Sequence, residues 1–268
     1  EKQPDLPMSV CAVNLSLAMN NQLGERAFEF FQNGTEGLLP PFTRDFNLPL
    51  LVGEAYFQLG LVNTAQRFAF EAMEAIPNYN QSGRVIKRLA ETNLISGHYK
   101  VAEKYLLMLK KTAFYSKWAS NRLEMLAEPE RIDNHPLYGR LRKMTLQTDF
   151  LFSEVEVDKV CGQLFMRNNE NTLAIQYLLI YPLLNRDLES FMNYYPYVNS
   201  KVVYTPTLCQ EGVAFAYMQQ KSQPPAGMVN DMIMQRFKAF AQTYSSGGKN
   251  SPQLKGYQNT LWYYLMKE

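Results

Sequence analysis

Hydrophobic and polar positions recur with a helical period along most of the chain. Between Leu50 and Pro77, LLVGEAYFQLGLVNTAQRFAFEAMEAIP, two such patterns meet at a glycine. In the first, Leu51, Ala55 and Leu59 fall at i, i+4 and i+8, flanked by Val52 and Tyr56. In the second, Ala65, Phe68, Ala69, Ala72 and Ile76 share helical spacing. Gly60 is expected to end the first helix in a left-handed conformation that glycine reaches without a Cβ clash, and Pro77 to close the second. The unit recurs: Gly24, Gly60 and Gly97 are spaced by 36 and 37 residues. Each is followed by an early alanine (Ala27, Ala65, Ala102) and, three residues on, by an aromatic (Phe30, Phe68, Tyr105). A small residue lets two antiparallel helices approach, and a ring one turn later fills the space beside it. Such recurrence predicts stacked helical hairpins. A weaker copy pairs Asn171 to Tyr181 with Asp187 to Tyr195. There Leu188 takes the alanine place, Phe191 and Met192 follow, and the glycine is missing.

Other segments complete an all-α pattern. Gly34 to Arg44, GTEGLLPPFTR, reads as a loop, because its prolines and glycines exclude a helix. Phe114 to Ala127 reads as helical, and Glu154 to Met166, Pro206 to Gln219 and Met228 to Tyr244 are further helices. Glu128 to Asp149 is polar, EPERIDNHPLYGRLRK and onward, and marks a lobe boundary near 128–150 within a single repeat domain of 1–268. Ser245 to Pro252, SSGGKNSP, reads as a flexible loop. The closing LWYYLM reads as a helix capping the last repeat, which a stacked array needs, in preference to an exposed partner site. No strand pattern of useful length occurs.

The stretch from Asn47 to Tyr79 resembles a tetratricopeptide repeat, with Gly53, Tyr56, Gly60, Ala65, Ala72 and Pro77 at the pattern positions. Arg84 to Lys111 matches in part through Leu89, Ala90, Gly97, Ala102 and Tyr105, while Asn93 replaces an aromatic. The resemblance implies antiparallel helix pairs stacked into a right-handed superhelix whose first helices line a concave groove. The later half, DFLFSEVEVDKV and NTLAIQYLLIYPLLNRDLESF, resembles a bacterial family of unknown function whose members look membrane-anchored with an extracytoplasmic helical-repeat part. That resemblance implies an extracytoplasmic, anchored protein. The chain starts at Glu1, not Met, and reads as a piece or a processed form, with room for an anchor or signal before it.

Composition narrows the function classes. A net charge of +2 makes no case for nucleic acid or an anionic membrane. No run reaches the ~20 apolar residues of a membrane span; the most apolar, Leu173 to Leu184, is short and holds Gln176 and Pro182. Cys11, Cys161 and Cys209 form no CxxC pair and read as buried small apolar residues. His98 and His135 lack HxxxH or HExxH partners and read as exposed polar residues, so no metal ligands are expected. Gly247, Gly248 and Lys249 do not make a phosphate loop, since position 243 is Thr. Glu154, Glu156 and Asp158 have the spacing of a solvated helix face. No catalytic residue and no cofactor is expected.

One constellation carries a binding hypothesis. Arg84, Lys87 and Arg88 lie at i, i+3 and i+4 on one helix face. Carried over by pattern position, they would point into the groove, with Glu54 and Phe57 of the preceding repeat beside them. Guanidinium forks bind carboxylates, and an adjacent ring adds apolar area. The competing reading is a solvated outer face on which Glu91 pairs with Lys87. The expected function is thus a non-catalytic scaffold that presents a concave surface to a peptide or protein. The alternatives are a small-ligand binder or enzyme with a pocket that no motif reveals, and a spacer or assembly domain of a larger membrane-anchored protein.

Overall fold

The computed structural model describes residues 6–42, 45–77, 81–146 and 156–266. Among these residues there is no strand, and sequence-adjacent helices pack as pairs, so the chain is all-α. It divides into two compact units. The first comprises 1–38, 155–162 and 172–268, and the second 39–154 and 163–171.

The first unit opens with α1 (Pro7–Met19) and the short α2 (Leu23–Arg26). Asn14, buried in α1, donates to Gln32 Oε1 (2.9 Å) and to the Gly37 carbonyl (2.8 Å), and Gln32 donates back to Asn14 Oδ1 and to the Ala27 carbonyl. These bonds hold the 3₁₀ turn Gly34–Gly37 on α1. The repeat expected at Gly24 does not form here. Gly24 lies inside α2, where a Cβ would come 2.6 Å from Pro206. Ala27 opens a 3₁₀ turn and Phe30 is extended. This glycine answers a close approach, not a hairpin turn. Of the expected loop Gly34 to Arg44, the first four residues form the 3₁₀ turn on α1 and residues 38–42 hold no helix; Thr43 and Arg44 lie outside the described residues.

The second unit begins with the predicted hairpin, α3 (Asn47–Leu59) and α4 (Val62–Glu74), followed by α5 (Gly83–Ile95) and α6 (Tyr99–Lys110). Gly60 has φ +96° and Gly97 φ +78°. Leu61 N–H reaches the Tyr56 carbonyl (2.9 Å) while Gly60 N–H reaches Phe57, and His98 and Gly97 repeat this on Asn93 and Leu94. This is the Schellman pattern, which satisfies the last carbonyls of a helix. Ala65, Ala72 and Ala102 are fully buried, and Phe68 packs on Tyr56 with ring centroids 5.0 Å apart. Ala69, Ala72, Val85 and Leu89 form the core between α4 and α5.

The polar stretch after α7 (Ser116–Ala127) is helical too. It forms α8 (Glu130–Asp133) and α9 (Pro136–Met144), and α9 packs back on α5 and α3. Gly139 permits this return, since a Cβ there would fall 1.8 Å from the Asp133 carbonyl oxygen. Arg142 then reaches the Leu94 and Ile95 carbonyls (2.7 and 3.0 Å), a cation at the C-terminal end of α5.

The next helix, α10 (Val157–Arg167), falls where a helix was expected; its expected start, Glu154, lies outside the described residues. The first unit then continues through α11 (Thr172–Leu184), α12 (Leu188–Asn199), α13 (Thr207–Gln219), α14 (Asp231–Gly247) and α15 (Leu261–Met266). The expected loop from Ser245 is only partly one, because α14 runs on to Gly247 before Gly248, at φ +66°, breaks the helix. Trp262 is fully buried against Phe237 and Phe240, as a terminal cap requires. All three cysteines are buried and free. No helix of the described residues is long and apolar enough to cross a membrane.

The Schellman pattern recurs where no glycine marks it. Asn21 (φ +57°), Arg186 (φ +60°) and Lys221 (φ +53°) close α1, α11 and α13. In each, the following N–H reaches back to Leu17, Pro182 or Tyr217. A left-handed conformation burdens a residue with a Cβ by roughly 1–2 kcal/mol. Lys221 is exposed, so Lys221→Gly should raise stability by about 0.5–1 kcal/mol in urea unfolding, after allowing for the added freedom of the unfolded chain. A loss of stability would show that the Lys221 side chain makes a contact outweighing its strain.

Candidate interaction surface

The five residues read as a binding site all lie in the second unit, and the structure brings four of them together. Arg88, its side chain 17% exposed, stacks its guanidinium on Phe57, 3.6 Å from the ring centroid. It pairs with Glu54 on α3 and, at 3.3 Å, with Glu91 one turn along its own helix. Lys87 lies 3.8 Å from Glu91. Arg84 is exposed and makes no ion pair among the described residues. Phe57 is buried beneath Arg88.

This cluster runs on into α9 and α7. Glu91 Oε1 accepts from the Tyr138 hydroxyl (3.3 Å), and the Tyr138 hydroxyl oxygen in turn accepts from Arg122 Nε (3.4 Å). Arg122 Nη2 lies 3.2 Å from His135 Nε2. Arg140 of α9 reaches Gln58, which donates to Glu54. A polar chain of alternating sign thus crosses the unit from Glu54 through Arg88, Glu91 and Tyr138 to Arg122. Burial pushes the Glu91 carboxyl above the ordinary range, against the lowering effect of Arg88 and Lys87. Burial, then the Glu91 carboxylate, raises the Tyr138 hydroxyl.

Trp118 of α7 borders this chain. Lys87 and Arg122 each lie 5.3 Å from its ring centroid, and the indole is half-buried. Glu54 and Glu91 offset Lys87 and Arg88, so the uncompensated positive charge of this surface rests on Arg84 and Arg122. Arg122 has no carboxylate at ion-pair distance among the described residues. Trp118, Arg122 and Tyr138 were not legible as site residues. Tyr138, Leu141 and Met144, all buried, do carry helical spacing, but the intervening arginines and lysine hid it.

His98 is exposed at the start of α6, as expected. His135 is instead half-buried, and its Nδ1 accepts the N–H groups of Leu137 and Tyr138 as the cap of α9. Among the described residues no group of three His, Cys, Asp or Glu side chains could hold a metal ion. The first unit has a pocket between α13 and α14 of mixed character, lined by Ala214, Met218, Met234 and Phe237 and also by Lys221, Asp231 and Lys238. No curated protein and no solved structure matches the chain. The model of one family matches all of residues 1–268, and the chain belongs to that family, the family of unknown function DUF6057.

Proposed function

We propose that the chain is an interaction module without chemistry of its own, and that the second unit takes an acidic protein or peptide segment on the surface formed by Arg84, Lys87, Trp118 and Arg122. The observation that carries this reading is the partly exposed indole of Trp118 held between two cations, each 5.3 Å from its centroid. Tryptophan and arginine dominate binding energy at protein interfaces, and rim cations speed the encounter with acidic partners. The tetratricopeptide-like hairpins α3–α4 and α5–α6 supply a rigid base for such a surface. Arg88 and Phe57 then act as its support, since their partners lie within the unit.

The test is quantitative capture from detergent-solubilised lysate of the source cell, comparing the chain with Arg84→Glu/Lys87→Glu and with Lys104→Glu, an exposed control on α6. A protein retained by the chain and the control, and reduced about tenfold or more by the double variant, is the expected result. Equal capture by all three would move the site elsewhere, and capture of nothing would end the interaction reading.

A further inference from the structure

The end of the polar chain at α7 and α9 has a donor imbalance. His135 is fixed from two sides: Nδ1 accepts from Leu137 N (3.2 Å) and Tyr138 N (3.3 Å), and the ring stacks on Tyr138 with centroids 4.1 Å apart. A neutral imidazole whose Nδ1 accepts carries its proton on Nε2. That Nε2–H faces Arg122 Nη2 at 3.2 Å, and a guanidinium has donors only. Two donors therefore converge without an acceptor. Placing the proton on Nδ1 would only move the conflict to the two backbone N–H groups. Burial, then the Arg122 charge, lowers the His135 pKa and keeps the ring neutral. Both groups line an open polar pocket together with Asn121, Glu124, Arg131 and Asn134. Arg131 is 4.0 Å from Glu128, so Arg122 is the stronger cation there.

We infer that this pocket binds a carboxylate, with one or both oxygens accepting from His135 Nε2–H and Arg122 Nη2–H. Such an acceptor resolves the imbalance by a charge-assisted bond. Glu124 in the same lining disfavours a dianion and so selects a carboxylate over a phosphate. The site requires only a small anion and does not depend on the partner reading above.

The chain has two histidines, so imidazole NMR resolves both, with exposed His98 as the internal reference. The free protein should show the Nε2–H tautomer at His135. N-acetylglycine, with a main-chain carboxylate, and N-acetylglutamic acid α-amide, with a side-chain carboxylate, are titrated beside inorganic phosphate. The expected result is saturable change at His135 and not at His98, with His135 titrating at higher pH in the complex. The tighter of the two carboxylates identifies the source. Arg122→Gln should weaken binding about tenfold or more, and Arg122→Lys by less; the backbone amide spectrum of each variant establishes its fold. An Nδ1–H tautomer in the free protein would overturn the inference. So would tighter binding of phosphate, or changes that never saturate and match those at His98, which would mean that water answers both donors.

Discussion

Arg88→Met should destabilise the second unit by about 3–5 kcal/mol at pH 7, the range for removing one partner of a buried ion pair. Methionine keeps apolar contact over Phe57 but leaves Glu91, whose side chain is 6% exposed, facing Glu54 without the guanidinium between them. The effect depends on pH in a definite direction. Glu91 already has a raised pKa because burial penalises its charged form. The folded state therefore favours the protonated carboxyl, and stability falls as pH rises from the ordinary carboxylate range through the raised value. Without Arg88 that value rises further, so the loss should be larger at pH 8 than at pH 5. Arg88→Met/Glu91→Gln should recover most of it. Urea unfolding of the three proteins at both pH values gives the answer. A loss below about 1 kcal/mol, equal at both, would mean that water reaches the cluster and that Arg88 is free to serve a partner.

That experiment bears on why the candidate interaction face was only partly legible. The spacing of Arg84, Lys87 and Arg88 places them on one face of α5, and the structure agrees. What spacing within one helix does not reveal is which charges the fold already neutralises. Glu54 is 34 residues from Arg88 in sequence, and Tyr138 is 47 from Glu91. The first approach depends on α3 and α5 both packing on α4, and the second on α9 returning across α3 and α5, which rests on one missing Cβ at Gly139. The stretch that supplies α9 is polar because Arg140 and Arg142 interleave with Tyr138, Leu141 and Met144. Arg142 points inward onto the carbonyls of α5, a role its side-chain class does not advertise.

The repeat was legible for a similar local reason. Gly60 and Gly97 announce the left-handed turn because glycine is the residue that adopts it most readily. Asn21, Arg186 and Lys221 make the same turn without that signature. The pair α11–α12 was found in outline only, and α1 and α13 were not connected to the series. Gly24 carried the signature and served a different purpose beside Pro206. The hydrophobic period thus located most helices, while turn chemistry located only those turns that use glycine.

Glu211 is the second group whose replacement should have a large effect, and here the variant is expected to be the more stable protein. It lies in α13, 3% exposed, and burial raises its pKa to about 7 despite the bond that Oε2 accepts from Leu261 N–H (2.7 Å). Arg236 lowers the value and Glu25 raises it, both to a lesser extent. The folded pKa exceeds the unfolded value, so the folded state binds more protons between pH ~4.5 and 7. The contribution from this group is full below the unfolded pKa and is lost as pH rises through the folded one. The difference amounts to roughly 3 kcal/mol by pH 8. In Glu211→Gln, the amide oxygen can still accept from Leu261 N–H, nothing ionises, and the Trp262 indole keeps its bond to the main-chain carbonyl of residue 211 (2.9 Å). The variant should match the parent near pH 4 and exceed it by about 3 kcal/mol at pH 8. Trp118→Phe in both proteins leaves Trp262 as the reporter of unfolding in the first unit. Parallel stability profiles from pH 4 to 8 would show that Glu211 is ionised in the fold throughout, stabilised by Arg236 and Leu261 N–H. In that case α15 is held by a permanent charge; otherwise the attachment of the C-terminal helix loosens as the medium turns alkaline.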